Sequence, residues 1–146
     1  MPLQTLSRQA FWLLSRSAIA IYSRLPIFGA LNGVVALIRY NDSFLAIERS
    51  DGRGLSFPGG LQFPRESAEK AMVREVREET GLEVTRFSFR YRYYSSVEYP
   101  LNICVFDAEV AGHLRSSWEG APCWLPISEL KQRLLPSQRP ILDELT

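Results

Sequence analysis

Residues 59–82, GGLQFPRESAEKAMVREVREETGL, decide how the chain is read. Gly59 and Gly60 open the stretch as a tight turn whose backbone can be approached closely. Glu66 follows, then Ser67 in an N-cap position, with Glu69 placed where a negative charge suits the helix dipole. From Ala68 to Thr80 the residues are good helix formers, and Gly81 stands where a helix C-terminus favours glycine. The last two turns of such a helix carry Arg74, Glu75, Arg77, Glu78 and Glu79. A spacing of i, i+3, i+4 puts Glu75, Glu78 and Glu79 on one face, and Met72, Val73, Val76 and Thr80 form another that suits a core. Like charges at that spacing destabilise a bare helix, and carboxylates near its C-terminus oppose the dipole. Two readings answer that cost. One is a solvated charged face neutralised by Arg74 and Arg77; the other is a set of oxygen donors converging on a hard divalent cation, Mg²⁺ or Mn²⁺.

The order Gly60, five residues, Glu66, seven residues, Arg74-Glu75-Val76, one residue, Glu78-Glu79, one residue, Gly81-Leu82 resembles the complete Nudix hydrolase signature. The likeness extends through the flanking strands, from about Gly33 to the end of the chain. It implies an α/β fold, an α/β/α sandwich with a mixed central sheet. It also implies hydrolysis of a pyrophosphate bond in a nucleoside diphosphate linked to another group. By the same resemblance, Glu75, Glu78, Glu79 and the Gly59 carbonyl hold one to three Mg²⁺ (or Mn²⁺). Arg74 orients the carboxylates, with Glu66, and Glu75 or Glu119 serves as general base.

Composition agrees with a single soluble domain: 146 residues, 46% hydrophobic and 23% charged. A net charge of +1 gives no support to nucleic-acid binding. Cys104 and Cys123 are too few for a disulfide scaffold, and with His113 as the lone histidine a zinc site is excluded. Cys104 reads as a buried small hydrophobe, and His113 has no assigned role.

Residues 5–25 read as an amphipathic helix, with Leu6, Ala10, Leu13, Leu14, Ala18, Ile21 and Leu25 on its broad apolar face. Arg8 and Arg16 cut the apolar run well below the ~20 residues of a membrane span, and Arg16 also splits any secretory signal. A helix packed on the domain or on a second subunit of a homodimer, a membrane-surface helix and a transit-like segment are the three readings. The expected division is a helical extension over 1–29 and a catalytic domain over 30–146, in a cytoplasmic enzyme.

Asn32 to Tyr40 and Phe44 to Glu48 read as a strand hairpin about Asn41-Asp42-Ser43, followed by a loop from Arg49 to Gly54. Val84 to Tyr94 and Leu101 to Val110 are two further strands, with Phe87, Phe89, Tyr91 and Tyr93 alternating onto one face. The segment from Glu119 to Trp124 precedes a short strand and a helix capped by Ser128. Arg49, whose guanidinium forks onto phosphate oxygens, Phe57 in the Phe-Pro-Gly-Gly turn, and Gln138 are the candidate substrate-binding residues. The Glu119-Gly120-Ala121-Pro122 loop before Trp124 is similar to one that supplies a carboxylate to the metal site in the MutT branch. In that branch a side-chain amide at the position of Gln138 contacts the nucleobase; alternatively Gln138 caps the last helix. Phe63 and Arg65 depart from the Glu and Gly common in the family.

The preferred substrate is a (deoxy)nucleoside triphosphate, cleaved to nucleoside monophosphate and pyrophosphate. ADP-ribose or a nucleotide sugar, suggested by Tyr99-Pro100, is the alternative. A nucleotide-binding module without turnover and a membrane-peripheral enzyme complete the set.

Overall fold

The structure is a computed structural model that describes residues 9–10, 13–14 and 29–146. Gln9, Ala10, Leu13 and Leu14 are helical and exposed; the rest of the expected N-terminal helix lies outside the described residues.

Eight strands, three helices and one 3-10 turn follow. They are β1 (Leu31–Leu37), β2 (Arg39–Tyr40), β3 (Ser43–Arg49), β4 (Leu55–Ser56), β5 (Gly59–Leu61), α1 (Ala68–Thr80), β6 (Glu83–Ser95), β7 (Leu101–Ala111) and β8 (Gly120–Pro126). Then come α2 (Ile127–Arg133), the 3-10 turn Pro136–Gln138 and α3 (Arg139–Leu145). One sheet has the order β5-β1-β7-β6 and is mixed, with β1 parallel to β7 and the outer pairs antiparallel. In the other sheet β3 is flanked by β2, β4 and β8, all antiparallel.

The run from Val34 to Ile38 is at most 3% exposed throughout, because both faces of the strand are covered. Val34, Ala36 and Ile38 point with Leu45, Phe106 and Ala108 to Met72 and Val76 of α1. Val35 and Leu37 point the other way, to Leu130 of α2 and to Ile141 and Leu142 of α3. This is the expected layering, helix on sheet on helix. Each large side chain buried there contributes about 1.5–3 kcal/mol.

Three expectations need correction. The run 32–40 is broken at Ile38: β1 joins the mixed sheet, and only β2 pairs with β3 as a hairpin. A bulge between Phe89 and Tyr91 reverses the alternation in β6, since one extra residue exchanges the two faces. Phe87 and Phe89 therefore meet Phe106 edge-on beside α1, while Tyr91 and Tyr93 pack on the opposite core. Finally, α2 starts from Pro126 with no side-chain cap, so Ser128 lies within its first turn. Cys104 and Cys123 are both free and half-buried.

Candidate active site

Helix α1 has the caps its sequence calls for. Ser67 accepts the Lys70 N–H at 3.2 Å, and Gly81, at φ 77°, returns its N–H to the Arg77 carbonyl at 2.9 Å. Its packed face carries not only Met72 and Val76 but also Glu75 and Glu79, 7% and 3% exposed. Both acids reach Gly59 and Gly60, which stand at the start of β5 and not in the tight turn expected. Gly59 N–H donates to Glu79 Oε1 at 3.3 Å. A Cβ on Gly60 would lie 2.6 Å from Glu75 Oε1, so only glycine lets that carboxylate cross the backbone.

The third member of the cluster comes from far along the chain. Register between β3 and β8 sets Arg49 opposite Gly120, and Ser50 N–H donates to the Glu119 carbonyl at 2.8 Å. That pairing brings Glu119 to α1, where Glu75, Glu79 and Glu119 each offer a carboxylate oxygen within 4.8 Å of the others. Glu78 lies outside this group: its side chain is 51% exposed and accepts from Arg74 Nη1 at 3.2 Å.

Arg74 ties the rim together. It donates through Nε and Nη2 to both oxygens of Glu66, at 2.8 and 3.0 Å, and through Nη1 to Glu75 Oε1 at 2.9 Å. Nη2 also reaches the Leu61 carbonyl at 3.0 Å, and the Phe63 ring lies over the guanidinium at 3.8 Å. Glu66 in turn accepts the Phe63 N–H at 3.0 Å. Phe63, a departure from the common pattern, thus stacks on the hub of the network.

Electrostatics separate the two groups of acids. The Arg74 guanidinium, then the Phe63 N–H, hold Glu66 below the usual carboxylate range. Burial, reinforced by the charges of Glu119 and Glu75, pushes Glu79 well up; the Gly59 N–H and Arg49 oppose it. Burial likewise raises Glu75 against the pull of Arg74, and raises Glu119 together with the Glu75 charge. Three carboxylates in one place, of which Glu75 is paired with Arg74, are hard oxygen donors at the spacing a divalent cation needs. With the backbone of Gly59 at the adjoining start of β5, the donor set fits Mg²⁺ or Mn²⁺.

A cleft of about 380 Å³ opens beside this cluster. Glu75, Glu119, Gly59 and Gly60 form one part of its wall, and Arg49, Arg53, Glu98, Tyr99 and Gln138 form another. Gln138 Oε1 accepts the Phe57 N–H at 2.8 Å, and Gln138 makes no side-chain cap to α3. Phe57 itself has no surface for substrate. Its ring is fully buried edge-on against Phe44, so the expected contact is replaced by a core role. Asp51, Arg53 and Glu98 did not stand out in the sequence; the only hint was alternation of charge within the loop after β3.

The NUDIX domain family matches residues 30–145. YtkD of Bacillus subtilis (strain 168), provisionally named an 8-oxo-dGTP diphosphatase, is 42% identical over 68 residues. That match covers 47% of this chain and 42% of YtkD, so the chain spans under half the length of this relative. The solution structure of the E. coli ORF135 protein is 28% identical, with a TM-score of 0.69 over 80% of this chain and 89% of that one. The MutT NUDIX hydrolase from Burkholderia pseudomallei shares the fold, with a TM-score of 0.70, 24% identity, and coverage of 80% and 98%. Because the family match takes in nearly all of the described fold and the acidic cluster, the chain belongs to the NUDIX family.

Proposed function

We propose that the chain hydrolyses nucleoside triphosphates, releasing a nucleoside monophosphate and pyrophosphate, at the cleft beside Glu75, Glu79 and Glu119. The observation that carries this reading is the cluster itself, with three carboxylate oxygens within 4.8 Å of one another against a cleft of about 380 Å³. Alone it repels a phosphate chain, so the substrate must arrive with cations.

Glu75, Glu79, Glu119 and the Gly59 carbonyl are the groups that would hold Mg²⁺ or Mn²⁺, with Glu78 able to join from the rim. When bound, the cation neutralises phosphate charge and lowers the pKa of water. Arg74 fixes the Glu75 carboxylate through Nη1, at 2.9 Å, so that its geometry is set before substrate arrives. Glu75 and Glu119, both on the cleft wall, are the candidate general bases. Arg49 lines the cleft and meets a phosphate oxygen with a guanidinium donor. Gln138, whose oxygen is taken by the Phe57 N–H, presents its NH₂ group to a carbonyl on the base. That choice of donor disfavours adenine, which has no carbonyl, and agrees with the 8-oxo-dGTP named for YtkD.

Tyr99 on the cleft wall gives the alternative, an ADP-ribose or nucleotide-sugar substrate, its one specific support. A product-resolved screen with Mg²⁺ or Mn²⁺ over triphosphates, 8-oxo-dGTP, ADP-ribose and nucleotide sugars decides between them. Pyrophosphate with monophosphate from a triphosphate is the expected outcome. Turnover of ADP-ribose or sugars alone would discard the triphosphate, and no turnover of any would favour a binding module. The placement of residues 1–29 as a separate extension and a cytoplasmic location stay part of the proposal. Among the described residues no helix is long and apolar enough to cross a membrane.

A further inference from the structure

Beside the acidic cluster, the loop after β3 is built around a carboxylate that lies outside the cleft lining. Asp51 is 0% exposed. It accepts from Arg49 in a fork, Nε at 3.0 Å and Nη2 at 2.5 Å, and from the Arg53 N–H at 3.1 Å. The Arg53 guanidinium stands 3.8 Å from the same carboxylate and forms an ion pair with Glu98 in the β6–β7 loop. Arg49, Arg53, Glu98 and the neighbouring Tyr99 all line the cleft. The loop itself is closed by Arg49 N–H donating to the Gly54 carbonyl at 2.9 Å, and is stitched to the Glu119 loop through Ser50.

A carboxylate buried completely is costly unless it is paired, and this one is paired with two guanidiniums that both end in the cleft. Long arginine side chains lose much rotamer freedom when ordered, so holding two of them in advance of substrate lowers the entropy cost of binding.

We propose that Asp51 is a positioning residue for substrate phosphate: it presents Arg49 and Arg53 together on the cleft wall beside the carboxylate cluster. Through the Arg53–Glu98 pair the same carboxylate fixes the loop that carries Tyr99. The inference rests on the pyrophosphohydrolase reading, and it adds residues that grip the phosphate chain beside the metal ligands.

The test compares wild type with Asp51→Asn, Arg53→Met and Arg53→Lys. Two quantities are measured with Mg²⁺: KM and kcat for a nucleoside triphosphate, and binding of methylenediphosphonate, which cannot be hydrolysed, by calorimetry. Asp51→Asn and Arg53→Met should each raise KM and weaken diphosphonate binding about tenfold, with kcat within about threefold, and Arg53→Lys should recover part of the loss. Should Asp51→Asn fail to fold, Arg49→Lys, which keeps the charge but loses the fork onto Asp51, replaces it with the same expected and overturning outcomes. Unchanged KM and unchanged diphosphonate binding in folded Asp51→Asn and in Arg53→Met would overturn the wall, even with wild-type turnover intact. The converse is equally distinct: wild type inert on triphosphates, yet binding diphosphonate tenfold better than Arg53→Met, keeps the wall and removes the substrate reading.

Discussion

Two groups of charge meet at the last two turns of α1, and they are finished differently. Around Arg74 the protein completes its own bonding: one guanidinium serves Glu66, Glu75, Glu78 and the Leu61 carbonyl, under the Phe63 ring. Around Glu79 it does not. Three acids share that space, and the opposing influences on Glu79 are the Gly59 N–H and the charge of Arg49. The first group holds side chains still, while the second leaves a shortage of positive charge that a cation from solution can fill. Stability and function therefore separate along one helix. Its caps and its Met72–Val76 face stabilise the fold, and its buried acids cost stability until the cation binds.

The largest effect should come from the unfinished group. Glu79→Gln keeps the shape and removes the charge, and kcat should fall on the order of 10³-fold with the fold preserved. Near-normal turnover in that variant would mean the cluster is an ordinary buried acidic patch. In the finished group the expected loss is smaller. Arg74→Lys keeps a positive charge but cannot fork onto Glu66 while reaching Glu75, so kcat should drop about 10- to 100-fold. Equal losses for Arg74→Lys and Glu79→Gln would erase the distinction between the two groups.

The smallest effect concerns stability and has the opposite sign. Burial raises the carboxyls of Glu79, Glu75 and Glu119, so each takes up a proton more readily in the fold than in the unfolded chain. Such groups favour folding fully below the ordinary carboxylate range, and that advantage is lost as pH rises through their raised values. Metal-free Glu79→Gln should consequently melt higher than metal-free wild type at about pH 8, by on the order of 5 °C. The gap should close toward about pH 4, where the native acid is protonated. A variant that melts lower at both pH values would show that Glu79 is compensated within the protein.

Much of this arrangement was legible because it is local. Ser67, the helix-forming run and Gly81 define α1 without help from the rest of the fold, and the apolar runs at Val34–Ile38 and Leu101–Val110 mark strands buried in the middle. What escaped depends on distant partners. Helical spacing groups Glu75, Glu78 and Glu79 but cannot say that Glu79 turns inward to Gly59 while Glu78 faces solvent. Resemblance pointed to Glu119, yet only the β3–β8 register brings it to α1. Phe57 could equally have stood in the cleft; its partner Phe44 and the α2–α3 core place it inside. A one-residue bulge, invisible in the alternation itself, divided the aromatic ladder of β6 between two faces.

The central claim is that Glu75, Glu79 and Glu119 form a divalent-cation site, and titration of Mn²⁺ followed by electron paramagnetic resonance tests it most directly. Wild type should bind Mn²⁺ at least about tenfold more tightly than Glu79→Gln or Glu119→Gln at the same pH. Identical binding curves for all three proteins would contradict it.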